Sequence, residues 1–504
     1  MEDKEKLKKL SAALSQARIL LAADIEESML SNANLNSIVT ELIENHKNDA
    51  GASIASKDEL YAIIAGLSKE KIPKSVEVLH KSEYSPTASE VESRYAINKR
   101  DGDISEGTAS AFVEYFNDRL HRIKEIISYR RPNFFIAPSI SSTKAYTSGR
   151  EVVISGMVTS KIITKKGNLM VIVEDETGEI RIVFVNGSSY SSKQLFESAK
   201  KIINDEVIAV KGKISNQFMI PSEIVWPDVP VIEPKSTEDD IAIAFLSDIH
   251  VGSKQFLEKS FSKMLSWING DVGGAKSALA GKIKYMVIAG DVADGVGIYP
   301  DQEYELAIPD MYLQYKQLFS FLEKIPEYIE VFMMPGNHDA VGRAEPQHNI
   351  DEELCKDFKI ANLHLVSNPC YINLHGIEVL SYHGTSLDSI IKAIPGMSYT
   401  SPEKAMVELL KRRHLSPIYG GNVIIPTKRD QLVIDKVPDI MHMGHIHKNG
   451  IANYHGIKII NSGTWQGTTK LQQRSGHVPT PAIMPVLETK TGNISALNFN
   501  DMLE

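Results

Sequence analysis

Five times in the second half of the chain, a short apolar run of strand type breaks off directly into residues that ligate metals. IAIAFL leads into Ser247, Asp248, Ile249 and His250. YMVIA leads into Gly290, Asp291, Val292, Ala293 and Asp294; VFMMP into Gly336, Asn337, His338 and Asp339. IEVLSY leads into His383 and Gly384, and DIMHM into Gly444, His445, Ile446 and His447. Buried strands that release polar residues at their carboxyl ends are how α/β proteins build ligand sites. Glycines before Asp291, Asn337 and His445 permit tight strand-to-loop turns. Helical stretches separate the runs, so residues 236–504 read as one layered α/β or α+β domain.

The ligand set is chemically coherent. Imidazoles, carboxylates and an amide oxygen suit divalent Mn, Fe, Zn, Ni or Co, and no thiolate joins them, which excludes a structural cysteine–zinc site. Two such ions about 3.5–4 Å apart clamp one phosphoryl group and present an activated hydroxide. Singly the motifs are weak: Asp-x-His occurs by chance, Asn-His-Asp also caps turns, and Gly-His-Ile-His alone is an exposed loop. Together and in order, each after a strand, they argue for a metal site.

The rest of the chain is less explicit. Residues 1–75 place Leu7, Leu10, Leu14, Ala17 and Leu21 at helical spacing, which predicts a helical region, either a small bundle or a docked tail. Residues 76–107 are polar and carry Pro, Ser and Gly, a linker composition. Residues 108–235 open with a helix bearing Phe112, Phe116, Leu120, Ile123 and Ile127 on one face. REVVISGMVTSKI, LMVIVEDETGEIRIVFV and EVIAVKGKI then read as strands, in the pattern of a five-stranded OB-fold barrel. No row of aromatics marks that barrel for base stacking, so a purely structural barrel stays open beside a nucleic-acid-binding one.

The 504 residues carry a net charge of −9, which excludes a protein that coats nucleic acid through general basicity. Two cysteines, Cys355 and Cys370, fit a reducing compartment. MEDKEKLKKL lacks a signal-peptide core, and no apolar run approaches the roughly 20 residues that span a bilayer. A cytoplasmic protein with no membrane segment is the expectation.

The order SDIH, GDVAD, GNHD, YHG, GHIH resembles the calcineurin-like metallophosphoesterase superfamily over roughly residues 240–470. Carried over by position, the resemblance implies one metal held by Asp248, His250 and His447. It implies a second held by Asn337, His383 and His445, with Asp291 bridging both. His338 matches the superfamily's catalytic, non-ligand histidine, a group that changes charge near neutral pH. Asp294 and Asp339 are candidates for orienting a ligand or His338, or simply for capping their loops.

A barrel directly ahead of such a domain resembles the small subunits of replicative DNA polymerases. Every ligand position is filled, and HGTSLDSIIKAIPGMSY, LLKRRHLSPIYGG, VPDIMHMGHIHKNG and NSGTWQGTTKLQQ are similar to the archaeal D-family small subunits. That resemblance implies a two-metal (Mn foremost) 3′–5′ exodeoxyribonuclease that proofreads beside a large catalytic polymerase subunit, as a heterodimer or higher, on a DNA primer 3′ end. Arg412, Arg413, His414 and Tyr419 are candidate substrate contacts, arginine to phosphate and tyrosine to a base, or else a cationic helix end. A metal-dependent phosphatase or phosphodiesterase and a non-catalytic assembly subunit are the rival readings.

Overall fold

A computed structural model describes residues 84–98, 106–215, 218–271 and 276–500, together with the backbone of two short strands nearer the N-terminus. The chain divides into two compact units, Met1–Lys81 and Ser82–Glu504. In the first, Ile19–Leu21 pairs in parallel with Ser53–Ala55. The helix expected through Leu21 therefore does not reach that residue: Ile-Leu-Leu is also a strand sequence, and pairing across the unit decides between the two. The rest of the helical expectation for residues 1–75 lies outside the described residues.

In the second unit, Glu151–Ile163, Leu169–Asp175, Gly178–Phe184, Phe218–Val225 and Val207–Ser215 close into a barrel in that spatial order. Strict alternation turns Leu169, Val171 and Val173 inward together with Ile180, Ile182 and Phe184. The helix Ala109–Arg130 starts at Thr108, whose hydroxyl accepts from Ala111 N at 3.3 Å. It buries Leu120, Ile123 and Ile127 against Val153, Met157, Val207 and Val225 on the outside of the barrel.

Two six-stranded sheets follow. The first runs Leu363–Leu365, Glu330–Met334, Ile283–Ala289, Ala242–Leu246, Ile483–Glu488, Ile494–Asn498, and its first four strands are parallel. The second runs Asn449–Tyr454, Ile457–Ser462, Ile440–Met443, Ile377–Ser381, Cys370–Leu374, Tyr95–Asn98. Alternation splits each strand between two cores. Ile243, Phe245, Val287 and Phe332 of the first sheet share one cluster with Ile372, Val379, Ile440 and Ile460 of the second. Ala244, Leu246, Ile288 and Met333 pack instead with the helices Glu258–Ile268 and Met311–Leu322. Leu380, Met441 and Ile459 pack with the helices Leu387–Ala393 and Pro402–Arg412.

Tyr95–Asn98 is a departure from the expected linker over 76–107: it pairs antiparallel with Cys370–Leu374 as an edge strand. Only Ile97 of its four residues is even half-buried, too little apolar content to announce a strand in sequence. Among the described residues, no helix is long and apolar enough to cross a membrane.

Candidate metal centre

All five motifs lie just beyond the carboxyl ends of strands, three in the first sheet and two in the second. The backbone there is unusual. Asp248, His250, Asp291, His445 and His447 have φ of 50°, 54°, 49°, 67° and 55°. Left-handed backbone is costly for residues with a Cβ and persists where the surroundings enforce it, typically at functional sites. In both Asp248-Ile249-His250 and His445-Ile446-His447 the left-handed residues alternate with an isoleucine that is buried. Two glycines let the loops close up: a side chain on Gly336 would strike the Asp291 carboxylate, and one on Gly444 would strike that of Asp248.

Two groups of donor atoms match the expected sites, and a third, His250, Asp291 and His338, shares His250 with one and Asp291 with the other. Asp248, His250 and His447 form one, with His250 Nε2 3.0 Å from His447 Nε2 and His447 Nε2 3.3 Å from Asp248 Oδ1. Asp291, His383 and His445 form the other, with His383 Nε2 3.3 Å from Asp291 Oδ2 and 3.0 Å from Asn337 Oδ1. Asp291 Oδ2 also lies 3.9 Å from His250 Nε2, which puts this carboxylate between the two groups. Donor atoms of each group lie within 4.8 Å of one another, and these His and Asp groups can hold a metal ion.

The far sides of the imidazoles are also engaged. His250 Nδ1 lies 3.0 Å from Asp294 Oδ1, His383 Nδ1 2.8 Å from Ala289 O, His445 Nε2 3.2 Å from Asp388 Oδ2 and His447 Nδ1 2.8 Å from the Gln472 amide. A second hydrogen bond of this kind fixes ring orientation and tautomer in metal-ligating histidines. His338 donates from Nδ1 to Asp294 O across 2.7 Å, and its backbone N–H donates to Asp291 Oδ1 across 2.8 Å. Its Nε2 is left toward the cleft, 3.9 Å from Asp291 Oδ2.

The charges in the site are strongly coupled. Burial works against charge on His383, yet the Asp291 carboxylate outweighs it and pushes the imidazole pKa up to about 10. Against its own burial, Asp291 is held well below the usual carboxylate range by His383 and His338. Burial pushes His447 down to about 4 and also lowers His338. The Asp291 carboxylate thus favours charge on His383, while burial favours the neutral form of His447, the form that ligates cations.

Asp294 takes the orienting place beside His250 and His338. Asp339 ties loops instead: it accepts from Gly336 N at 2.8 Å, Ala293 N at 3.1 Å and Tyr315 OH at 2.9 Å, joining the Asp291 and Asn337 loops. The expected substrate contacts lie outside the lining of the cleft. Arg413 is buried and donates to the carbonyls of Ile434 and Asp435. His414 is buried, 2.8 Å from Asp430 Oδ2, and burial lowers its pKa to about 4. Arg412 pairs with Glu206 of the barrel at 2.6 Å. Tyr419 packs its ring edge-on against Phe112 and Phe116 at 5.6 and 5.4 Å. None of these four lines the cleft beside the ligand groups. That cleft, about 800 Å³, is lined by His250, Asp291, Asp294, His338, His445 and His447. Its lining also includes Asp388, Gln466 and Gln472, which the motifs did not single out.

Residues 152–225 match the family model described as an OB-fold nucleic acid binding domain. Residues 243–450 match the family model for the B subunits of DNA polymerases alpha and epsilon. The DNA polymerase II small subunit of Archaeoglobus fulgidus is 42% identical over 399 residues, 78% of this chain and 78% of its own. That of Methanothermobacter thermautotrophicus is 41% identical over 398 residues, 78% of this chain and 80% of its own. That of Methanocaldococcus jannaschii is 41% identical over 401 residues, 77% of this chain and 66% of its own. The chain belongs to the family of archaeal (D-family) DNA polymerase II small subunits.

Proposed function

We propose that this chain is a metal-dependent 3′–5′ exodeoxyribonuclease that removes the terminal nucleotide of a DNA primer, working beside a large catalytic polymerase subunit. The observation that carries the reading is the pair of donor groups joined at Asp291. The donor set fits two divalent ions: two imidazole nitrogens 3.0 Å apart repel unless a proton or a cation lies between them. Asp248, His250 and His447 would hold one ion, Asn337, His383 and His445 the other, with Asp291 shared, in a layered calcineurin-like domain. Such ions, Mn foremost, supply charge neutralisation at the phosphoryl oxygens and an activated water.

The chain's own residues do the rest. His338, its Nδ1 committed to Asp294 O, presents Nε2 to carry the proton to the leaving 3′ oxygen. Asp294 holds His250 and His338 in register with each other, and Asp388 and Gln472 hold His445 and His447. Family membership supports DNA and a polymerase partner over a free-standing phosphatase.

The test is Mn-dependent digestion of a 3′-mismatched primer by the purified chain with its large subunit. Asp291→Ala is expected to lose activity and metal together. His338→Ala is expected to lose activity by about 10²–10⁴-fold with metal content unchanged. Equal or better hydrolysis of a mononucleotide phosphate would point to the phosphatase reading, and no hydrolysis by the wild type to the assembly role.

A further inference from the structure

Two tyrosines are among the cleft-lining residues outside the metal-holding groups. Tyr299 sits beside His338, ring centroids 6.3 Å apart. Tyr399 meets His477 edge to face at 6.0 Å and 79°. The Asp388 carboxylate, 3.2 Å from Nε2 of His445, lies near the Tyr399 hydroxyl, whose pKa burial and that carboxylate both raise. Lys392 and Lys448 add positive charge to the same lining.

We propose that Tyr399, braced by His477, is the stacking platform for the base of the 3′-terminal nucleotide, so that the cleft accepts this nucleotide only unpaired. The proposal rests on the nuclease reading above and names how that site selects its substrate. Aromatic faces receive bases without regard to sequence, which is what a proofreader requires. A cleft of about 800 Å³ is of the size that takes a drug-sized ligand, roughly 300–1,000 Å³, and not a stacked duplex end. A terminal nucleotide reaches Tyr399 by leaving its partner, and leaving costs least at a mismatch. Lys392 and Lys448 suit the phosphates that enter with it. A site built for a small phosphate monoester has no use for this ring. Tyr399 lies in the segment HGTSLDSIIKAIPGMSY, which the metal motifs leave without a role beyond His383.

The experiment compares two 5′-labelled single strands of one sequence, one ending in thymidine and one in a stable abasic residue. First-residue release is measured with Mn on the complex of the full chain with its large subunit, for the wild type and for Tyr399→Ala, Tyr399→Phe and His477→Ala. The wild type is expected to release the base-bearing residue on the order of tenfold faster in kcat/KM. Tyr399→Ala is expected to bring that ratio close to one, and His477→Ala to reduce it. Tyr399→Phe, which keeps the ring and loses only the hydroxyl near Asp388, is expected to preserve it. A defect in folding or metal loading lowers both rates and leaves the ratio standing. The inference is overturned if the wild type does not distinguish the two ends, or if Tyr399→Ala distinguishes them as well as the wild type. Release from neither end by the wild type overturns the nuclease reading itself.

Discussion

Arg119 and His250 are both buried, and both sit in clusters of charge, but the clusters follow opposite rules. Arg119 lies at the seam between the helix Ala109–Arg130 and the segment after Arg413. Its Nε is 2.7 Å from Asp430 Oδ2, which also faces His414 Nε2 at 2.8 Å. Nearby, Arg412 pairs with Glu206 at 2.6 Å and with Glu408 at 2.5 Å. Each cation there meets a carboxylate of the same protein. At the cleft, donor faces donor: His250 and His447 point nitrogens at each other, and His383 points one at Asn337 and Asp291. The first cluster is closed and joins pieces of chain far apart in sequence. The second gathers nitrogen and oxygen atoms that can hold a metal ion. Buried polarity alone does not mark a functional site; the sign of what faces what does.

The sharpest way to break this comparison is to open the closed cluster. Asp430→Ala leaves the Arg119 guanidinium buried without its carboxylate and is expected to cost about 3–5 kcal/mol in urea unfolding, with metal content unchanged. A small cost, or lost metal, would mean the two clusters are not separate. Next is pH. His414 titrates near 4 in the folded chain against an ordinary value near 6.5. A depressed pKa gives stability that is fully present above pH 6.5 and lost progressively as pH falls toward 4. His414→Gln removes that dependence, so the wild-type advantage is expected to shrink by about 3 kcal/mol across the interval. An advantage that holds constant across it would refute the buried neutral imidazole.

The open cluster is expected to respond to cation instead. Mn at a hundred times its Kd stabilises the wild type by about 2.7 kcal/mol, read as a rise in Tm, and His447→Ala loses most of that rise. Equal responses of the two proteins would remove His447 from the ligands. The smallest effect concerns Tyr419, whose ring packs on Phe112 and Phe116. Tyr419→Ala is expected to cost about 1 kcal/mol of stability and leave primer digestion unchanged. Slower digestion at full stability would return Tyr419 to the substrate path.

The strands that end in ligands were legible in sequence because each is short, apolar and followed at once by its donors. Barrel strands such as Leu169–Asp175 were legible because one face is buried and the residues alternate. What stayed hidden depends on distant partners. Arg413 and His414 look like phosphate contacts in a string of letters, yet their acceptors, Ile434, Asp435 and Asp430, come from the following loop, and Arg412 finds Glu206 in the barrel. Asp388, Gln466 and Gln472 act through other side chains and carry no spacing of their own. The edge strand Tyr95–Asn98 borrows its stability from Cys370–Leu374, so its own four residues say little. Left-handed backbone at Asp248 or His447 is likewise set by the surroundings rather than by residue type.

Two of the donor groups draw on both sheets: Asp248 and His250 with His447, Asp291 with His383 and His445. A ribosome making this chain releases the first of these side chains long before the last. Until the loop after Met443 has emerged, neither of these two groups is complete.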